Sequence, residues 1–391
     1  MGRTARPHRR GRSASSSRSP TESRSHHRGI FARSAADSKR KHENRILRCH
    51  ARDHNLFFIK LNKEITSSRS AASLLALMES RGDDFNDVNL STAIHRLGSR
   101  FSPFFEHYRE PEAGLRKVMD LCVLSIARGE LSPRSLANVA WGLARLGVVA
   151  TALFAAIAHE TPYRVFEFGP QDLANLCWAF AKADVDAPAL FEAIQAAVPA
   201  QINNFTSQHL SSTVWAFAKS DAHAPQLFAC IEIATVRQIH EFAPIDLANT
   251  AWAFACVHGR HGFRHPDVFD MISREIPPKV NDCSPQNIAT IAAAFALARP
   301  NAAAVFESIA LEATSRIHDF NAQELAASSS AEACVETTPH TSYCRQRHTL
   351  LLMPCIMHQN SLMPLASRHC SEFHRTQCQR SLYEPLMLLS K

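Results

Sequence analysis

The stretch Leu173-Ala174-Asn175-Leu176-Cys177-Trp178-Ala179-Phe180-Ala181 decides the fold, because near copies return at Leu136 to Ala144, Leu210 to Ala218, Leu247 to Ala255 and Ile288 to Ala296. Trp141, Trp178, Trp215 and Trp252 follow one another at 37 residues each time. A fixed period in the range of about 20 to 50 residues is the signature of a solenoid. Inside the stretch the apolar residues Leu173, Leu176, Cys177, Phe180 and Ala181 describe one face of an α-helix. Pro133, Pro170, Pro244 and Pro285 stand three residues before the Leu or Ile of that helix, where proline loses only a donor that would be unpaired anyway.

A second helix is predicted in each repeat. Phe154, Phe191, Phe228, Phe269 and Phe306 form one column on it, and Ile157, Ile194, Ile231, Ile272 and Ile309 another. A third column, Leu131, Phe168, Phe205, Phe242, Cys283 and Phe320, falls in the connection to the next repeat and is expected to staple neighbours. Each helix pair buries its apolar face only against the pairs beside it, so the expected fold class is all-α: an α-solenoid of helix-turn-helix repeats with disordered termini. The Trp and Phe ladders are read as its structural core.

Outward from the array the composition changes. Residues 1–50 hold 14 Lys or Arg against 3 Asp or Glu, and residues 337–391 hold 6 against 2, so that of the whole-chain +7 the stretch 51–336 carries −8. Residues 1–50 are rich in Arg and Ser, and read as an organellar transit segment, a basic tail or a misassigned start. Residues 51–130 contain a degenerate capping repeat around Phe85 to Gly98, with His95 in the tryptophan column and a second helix at about Glu112 to Gly129. Residues 131–327 are the regular array, and residues 328–391 show no repeat and read as a tail foreign to it.

One interval departs from the rule. Between Phe242 and Cys283 it is 41 residues, which places four extra residues in the turn Val257 to His265. His258, His261 and His265 there lack a Cys or carboxylate at ligand spacing, so a solvated loop is expected rather than a metal site. His369, Cys370, His374 and Cys378 in the tail have no paired Cys-x-x-Cys.

There is no Gly-rich phosphate loop, no His-Glu-x-x-His and no Gly-x-Ser-x-Gly, and with only 12 glycines nucleotide-binding turns are disfavoured. The expectation is a protein that is not an enzyme and takes no cofactor, metal or small-molecule substrate. Eleven scattered cysteines suit a reducing compartment, and no apolar run is long enough to span a membrane.

The variable positions lie just before the recurrent Leu: Arg134-Ser135, Gln171-Asp172, Gln208-His209, Ile245-Asp246, Gln286-Asn287 and Gln323-Glu324. Forked polar groups in a row suit the edges of unstacked bases, one base per repeat. Equally, such residues cap helices and face water. Arg145, Lys182 and Lys219 share a column and are the candidates for phosphate contacts.

Repeats reading Leu-Ala-Asn-x-x-Trp-Ala-Phe-Ala, nearly intact at Leu136, Leu173 and Leu247 and varied as Leu210-Ser211-Ser212-Thr213-Val214-Trp215-Ala216-Phe217-Ala218, resemble the octotricopeptide-repeat and FAST leucine-rich families. The resemblance covers about Phe85 to Leu325. It implies an α-solenoid that binds single-stranded RNA in the mitochondrial matrix or chloroplast stroma and acts in RNA processing, ribosomal RNA maturation or mRNA stability, with RNA-processing proteins as further partners. No segment resembling the RAP module of those families is found. The alternative from another class is a protein-interaction scaffold, which an acidic core would favour.

Overall fold

The computed structural model describes residues 55–105, 112–148, 150–262, 264–298, 302–321 and 324. The segment 1–50, the tail 328–391 with its His369, Cys370, His374 and Cys378, and Gln323 lie outside the described residues. Backbone contacts divide the chain into two units, Met1–Lys60 and Leu61–Lys391. Of the first, the described residues 55–60 are helical.

The second unit is all-α among its described residues. In chain order it runs α1 (61–67), α2 (Ala71–Arg81), α3 (Asp87–Arg100), the short α4 (Ser102–Phe105) and α5 (Ala113–Ala127). The regular repeats follow as pairs: α6 (Pro133–Leu146) with α7 (Thr151–Arg164), α8 (Pro170–Lys182) with α9 (Pro188–Gln201), and α10 (Ser207–Lys219) with α11 (Pro225–Gln238). The last two are α12 (Pro244–His261) with α13 (Pro266–Lys279), and α14 (Pro285–Ala298) with α15 (Ala303–Ser315). Pro133, Pro170, Pro244 and Pro285 each open their helix, as the sequence predicts. The α-solenoid expected from the period is therefore the observed architecture.

Two layers result. The first helices α3, α6, α8, α10, α12 and α14 pack side by side, and the second helices do so behind them at wider spacing. The closer layer is possible because its contact column is small: Ala137, Ala174, Ser211, Ala248 and Ala289 are all buried. The first helices therefore form the more closely packed of the two layers.

Neighbouring repeats are joined in three ways. Phe154 meets Phe180 edge to face at 5.0 Å, and the same contact recurs as Phe191–Phe217, Phe228–Phe254 and Phe269–Phe295, each time from a second helix to the first helix of the next repeat. Such pairs contribute about 0.5–1.5 kcal/mol beyond their burial. Below them the connection column, Leu131, Phe168, Phe205, Phe242, Cys283 and Phe320, is buried throughout. Its carbonyls are then claimed from the following repeat. Arg164 Nη1 donates to Leu131 O at 2.9 Å, Gln201 Nε2 to Phe168 O at 3.0 Å, Gln238 Nε2 to Phe205 O at 3.1 Å, Lys279 Nζ to Phe242 O at 3.1 Å and Arg316 Nη1 to Cys283 O at 3.0 Å. Different side chains thus make one clamp, since the connection leaves a carbonyl that requires a donor.

The structure corrects the reading of the four extra residues. They do not form a solvated loop: α12 simply continues to His261, 18 residues against 13 in α8 and α10. Four residues are close to one α-helical turn, so the insertion lengthens the helix without turning its buried face outward. The helix stops at Gly262, whose φ of 70° is the left-handed conformation that glycine adopts freely. Arg260 of the added turn reaches back to Ala218 O at 2.8 Å and Asp221 Oδ1 at 3.1 Å. His265 is buried with its Nδ1 2.7 Å from Glu232 Oε2. Among the described residues no group of three His, Cys, Asp or Glu is placed to hold a metal ion, and no described helix is long and apolar enough to cross a membrane.

Candidate nucleic-acid interface

Positions separated by 4, 3 and 4 residues line up on one side of an α-helix. In α6 these are Arg134, Asn138, Trp141 and Arg145; in α8 Gln171, Asn175, Trp178 and Lys182; in α10 Gln208, Ser212, Trp215 and Lys219. Stacking the repeats turns the four positions into four rows that cross the layer of first helices.

The Trp row is a continuous ladder. His95 of α3 stacks on Trp141 at 4.8 Å, and Trp141–Trp178, Trp178–Trp215 and Trp215–Trp252 follow at 6.2, 6.4 and 6.2 Å, tilted by 32–36°. Trp215 and Trp252 are buried, whereas Trp141 and Trp178 keep a partly exposed edge. Burial holds the His95 imidazole below its ordinary pKa. The ladder is therefore both a seam between repeats and, at two rungs, an aromatic surface.

Beside it lies the basic row. The Arg145 guanidinium sits 5.8 Å from the Trp141 ring centre and the Lys219 ammonium 6.0 Å from that of Trp215, within cation–π range. Lys182 stands between them. Partial burial, and after it the positive charges of Lys219 and Arg145, push its pKa below the ordinary lysine value. Lys182 is thus near enough to Arg145 and Lys219, the other two cations of the sequence column, to feel both charges. The row ends there, because the matching position of α12 is the buried Cys256 and that of α14 is Leu297.

The residue pairs before the recurrent Leu separate into two kinds. Their first members, Arg134, Gln171, Gln208, Ile245 and Gln286, are all exposed. Their second members turn into the structure. Asp172 Oδ2 accepts from the Gly169 N–H at 3.4 Å, His209 Nδ1 from the Thr206 N–H at 3.3 Å, Asp246 Oδ2 from the Ala243 N–H at 3.3 Å and Glu324 Oε2 from the Asn321 N–H at 2.8 Å. Asp172, His209 and Asp246 thereby close their helix starts, three residues back. The buried Ser135 accepts from Ser132 and Ser91 and donates to Asp87 Oδ2, while the Asn287 N–H donates to Ser284 Oγ. Asp246 also accepts from Ser211 Oγ at 2.6 Å, across the repeat boundary. Burial lowers the His209 pKa against the opposing pull of Asp172. Asp172, His209 and Asp246 therefore make helix-closing contacts, whereas Ser135 bonds to other side chains and Asn287 engages its backbone N–H.

Many cations elsewhere are spent on the protein itself. Arg81, Lys117, Arg164, Arg260, Lys279 and Arg316 all make ion pairs at 2.6–3.4 Å with neighbouring carboxylates. The buried thiols of Cys122, Cys177 and Cys256 are pushed up to about 12 by desolvation, which leaves them as apolar packing groups.

What the sequence reading missed is the row Asn138, Asn175, Ser212, Asn249, half-buried on the same stripe. The signal was present in the Asn of the repeat motif, but only the stacking shows which side of the helix it shares with the tryptophan. A family model described as RNA-editing substrate-binding complex 6 protein matches residues 113–349, which takes in α5 through α15. No curated protein matches the chain.

Proposed function

The chain belongs to the RNA-editing substrate-binding complex 6 protein family, and on that premise we propose that it binds single-stranded RNA, without cleaving it, on the exposed stripe of α6, α8 and α10. One observation carries the reading: Arg145, Lys182 and Lys219 stand in one row, with Lys182 close enough to feel both neighbouring charges, alongside an aromatic ladder. A strand of phosphates offsets these positive charges, and the partly exposed Trp141 and Trp178 offer bases an aromatic contact. The net −8 of residues 51–336 does not oppose this, because contact is decided by the local row and not by the sum.

The family supports a place in a mitochondrial RNA-editing assembly, with RNA and protein partners both engaged, rather than in the chloroplast. The kinship with octotricopeptide-repeat and FAST leucine-rich proteins, and roles in ribosomal RNA maturation or mRNA stability, belong to the same proposal.

The test is the salt dependence of binding to a single-stranded RNA pool by the full chain and by the Arg145→Gln, Lys182→Gln, Lys219→Gln triple variant. Each neutralised phosphate contributes about 0.7 to the slope of log K against log salt, so losing three lowers the slope by about 2. Comparing the two proteins cancels the contribution of the basic segment 1–50. An equal slope in both removes RNA from this face and moves the function to the protein scaffold.

A further inference from the structure

The row Asn138, Asn175, Ser212, Asn249 stands between the exposed first members of the residue pairs and the tryptophan ladder. All four are half-buried and mid-helix, and their side chains have no hydrogen-bond partner among the described residues. Local structure does not select them: Asn and Ser are ordinary to poor helix formers that prefer caps and turns. A carboxamide offers two donors and an acceptor, enough to grip a base edge at two points. Packing alone would be served as well by Ala, which the motif places freely at Ala137, Ala174 and Ala248.

Distance separates this row from the one that the sequence favoured. Asn175 lies seven residues before Lys182, about 10 Å along the helix, which is within the reach of one nucleotide from phosphate to base edge. Gln171 lies eleven residues before it, about 16 Å away and beyond that reach. The partly exposed edges of Trp141 and Trp178 fall between the amide and the cation, where a base plane crosses from one to the other.

We infer that Asn138, Asn175, Ser212 and Asn249 are the specificity-determining residues, each reading one base of a strand whose phosphates follow Arg145, Lys182 and Lys219. This rests on the RNA reading above. Asn suits an edge that pairs a donor with an acceptor, as adenine presents. Ser212 has a single hydroxyl, so the bound motif has a permissive position between two selective ones.

The experiment is selection from a random single-stranded RNA pool by the full chain, repeated with Asn175→Ala and with Ser212→Asn, and helix content checked by circular dichroism. Asn175→Ala is expected to relax one motif position by roughly five- to a hundredfold, the discrimination of a lost two-point contact, with the salt slope unchanged. Ser212→Asn is expected to sharpen the adjacent position. Salt-dependent binding with a motif that neither substitution alters, or with no motif at all, overturns this inference and leaves the RNA reading standing. Absence of any binding at low salt overturns both.

Discussion

Gly142→Ala tests whether the layer of first helices is set by backbone approach. Gly142 of α6 faces α3, where an added Cβ would stand 2.7 Å from Ile94 O, 2.9 Å from Ile94 C and 2.9 Å from Ile94 Cγ2. Across the same contact, a Cβ on Gly98 would meet Gly142 O at 2.6 Å. Ordinary contact begins at 3.4 Å, and the obstructing oxygen and carbon belong to a helix backbone that cannot rotate away. α3 must therefore retreat by several tenths of an ångström. Replacing Gly by Ala inside a helix gains up to about 1 kcal/mol in propensity, while overpacking a tight contact costs about 1–3 kcal/mol, so the net effect is a loss reaching about 2 kcal/mol. The retreat also opens the 4.8 Å stack of His95 on Trp141. Urea denaturation followed by far-ultraviolet circular dichroism measures the loss, and the near-ultraviolet tryptophan signal reports the stack. An unchanged or higher urea midpoint would refute the reasoning, because propensity would then outweigh the contact.

Two further outcomes are expected. Lys182→Gln removes a charge that burial and its neighbours disfavour, so stability should hold or rise within about 0.5 kcal/mol while RNA affinity falls; a parallel loss of both in melting and binding assays would place Lys182 in the scaffold instead. His95 is held below its ordinary pKa by burial, so the unfolded chain binds its proton more readily: stability is full above about pH 6.5 and declines as the pH falls toward the lower folded value. His95→Phe should flatten that part of the stability profile between pH 5 and 7, and an unaltered profile would assign the acid sensitivity to another group.

Much of the fold was legible because solenoid contacts are local and periodic. Phe180 and Phe217 recur at the repeat spacing and pack one repeat along, so the spacing already implied the pairing. From the sequence the four extra residues before Pro266 read as a loop, because insertions in repeat arrays map to loops. In the structure Arg260 and His261 find partners on the preceding repeat at Asp221, which makes the helical continuation worthwhile. The clamps of Arg164, Gln201, Gln238, Lys279 and Arg316 were invisible as a column, since Arg, Gln and Lys share only the ability to donate.

At the candidate interface the sequence named the basic column Arg145, Lys182, Lys219, and the fold places its members side by side. It could not tell which half of each polar pair is engaged. Asp172 and Asp246 are polar residues like Gln171, and only the position of the preceding N–H shows that they close the helix while Gln171 stays exposed.

By itself, then, the period and its apolar columns determined that this chain is an α-solenoid, because each repeat buries its face against a neighbour of the same design. The tertiary structure decided which polar side chains remain for a ligand. That choice depends on how closely α6, α8 and α10 approach and on which donors and acceptors the caps and repeat boundaries consume first. The caps act only three residues back, but the approach of the helices and the repeat-boundary contacts join residues more than thirty positions apart, such as Ser211 with Asp246, and no local pattern encodes those.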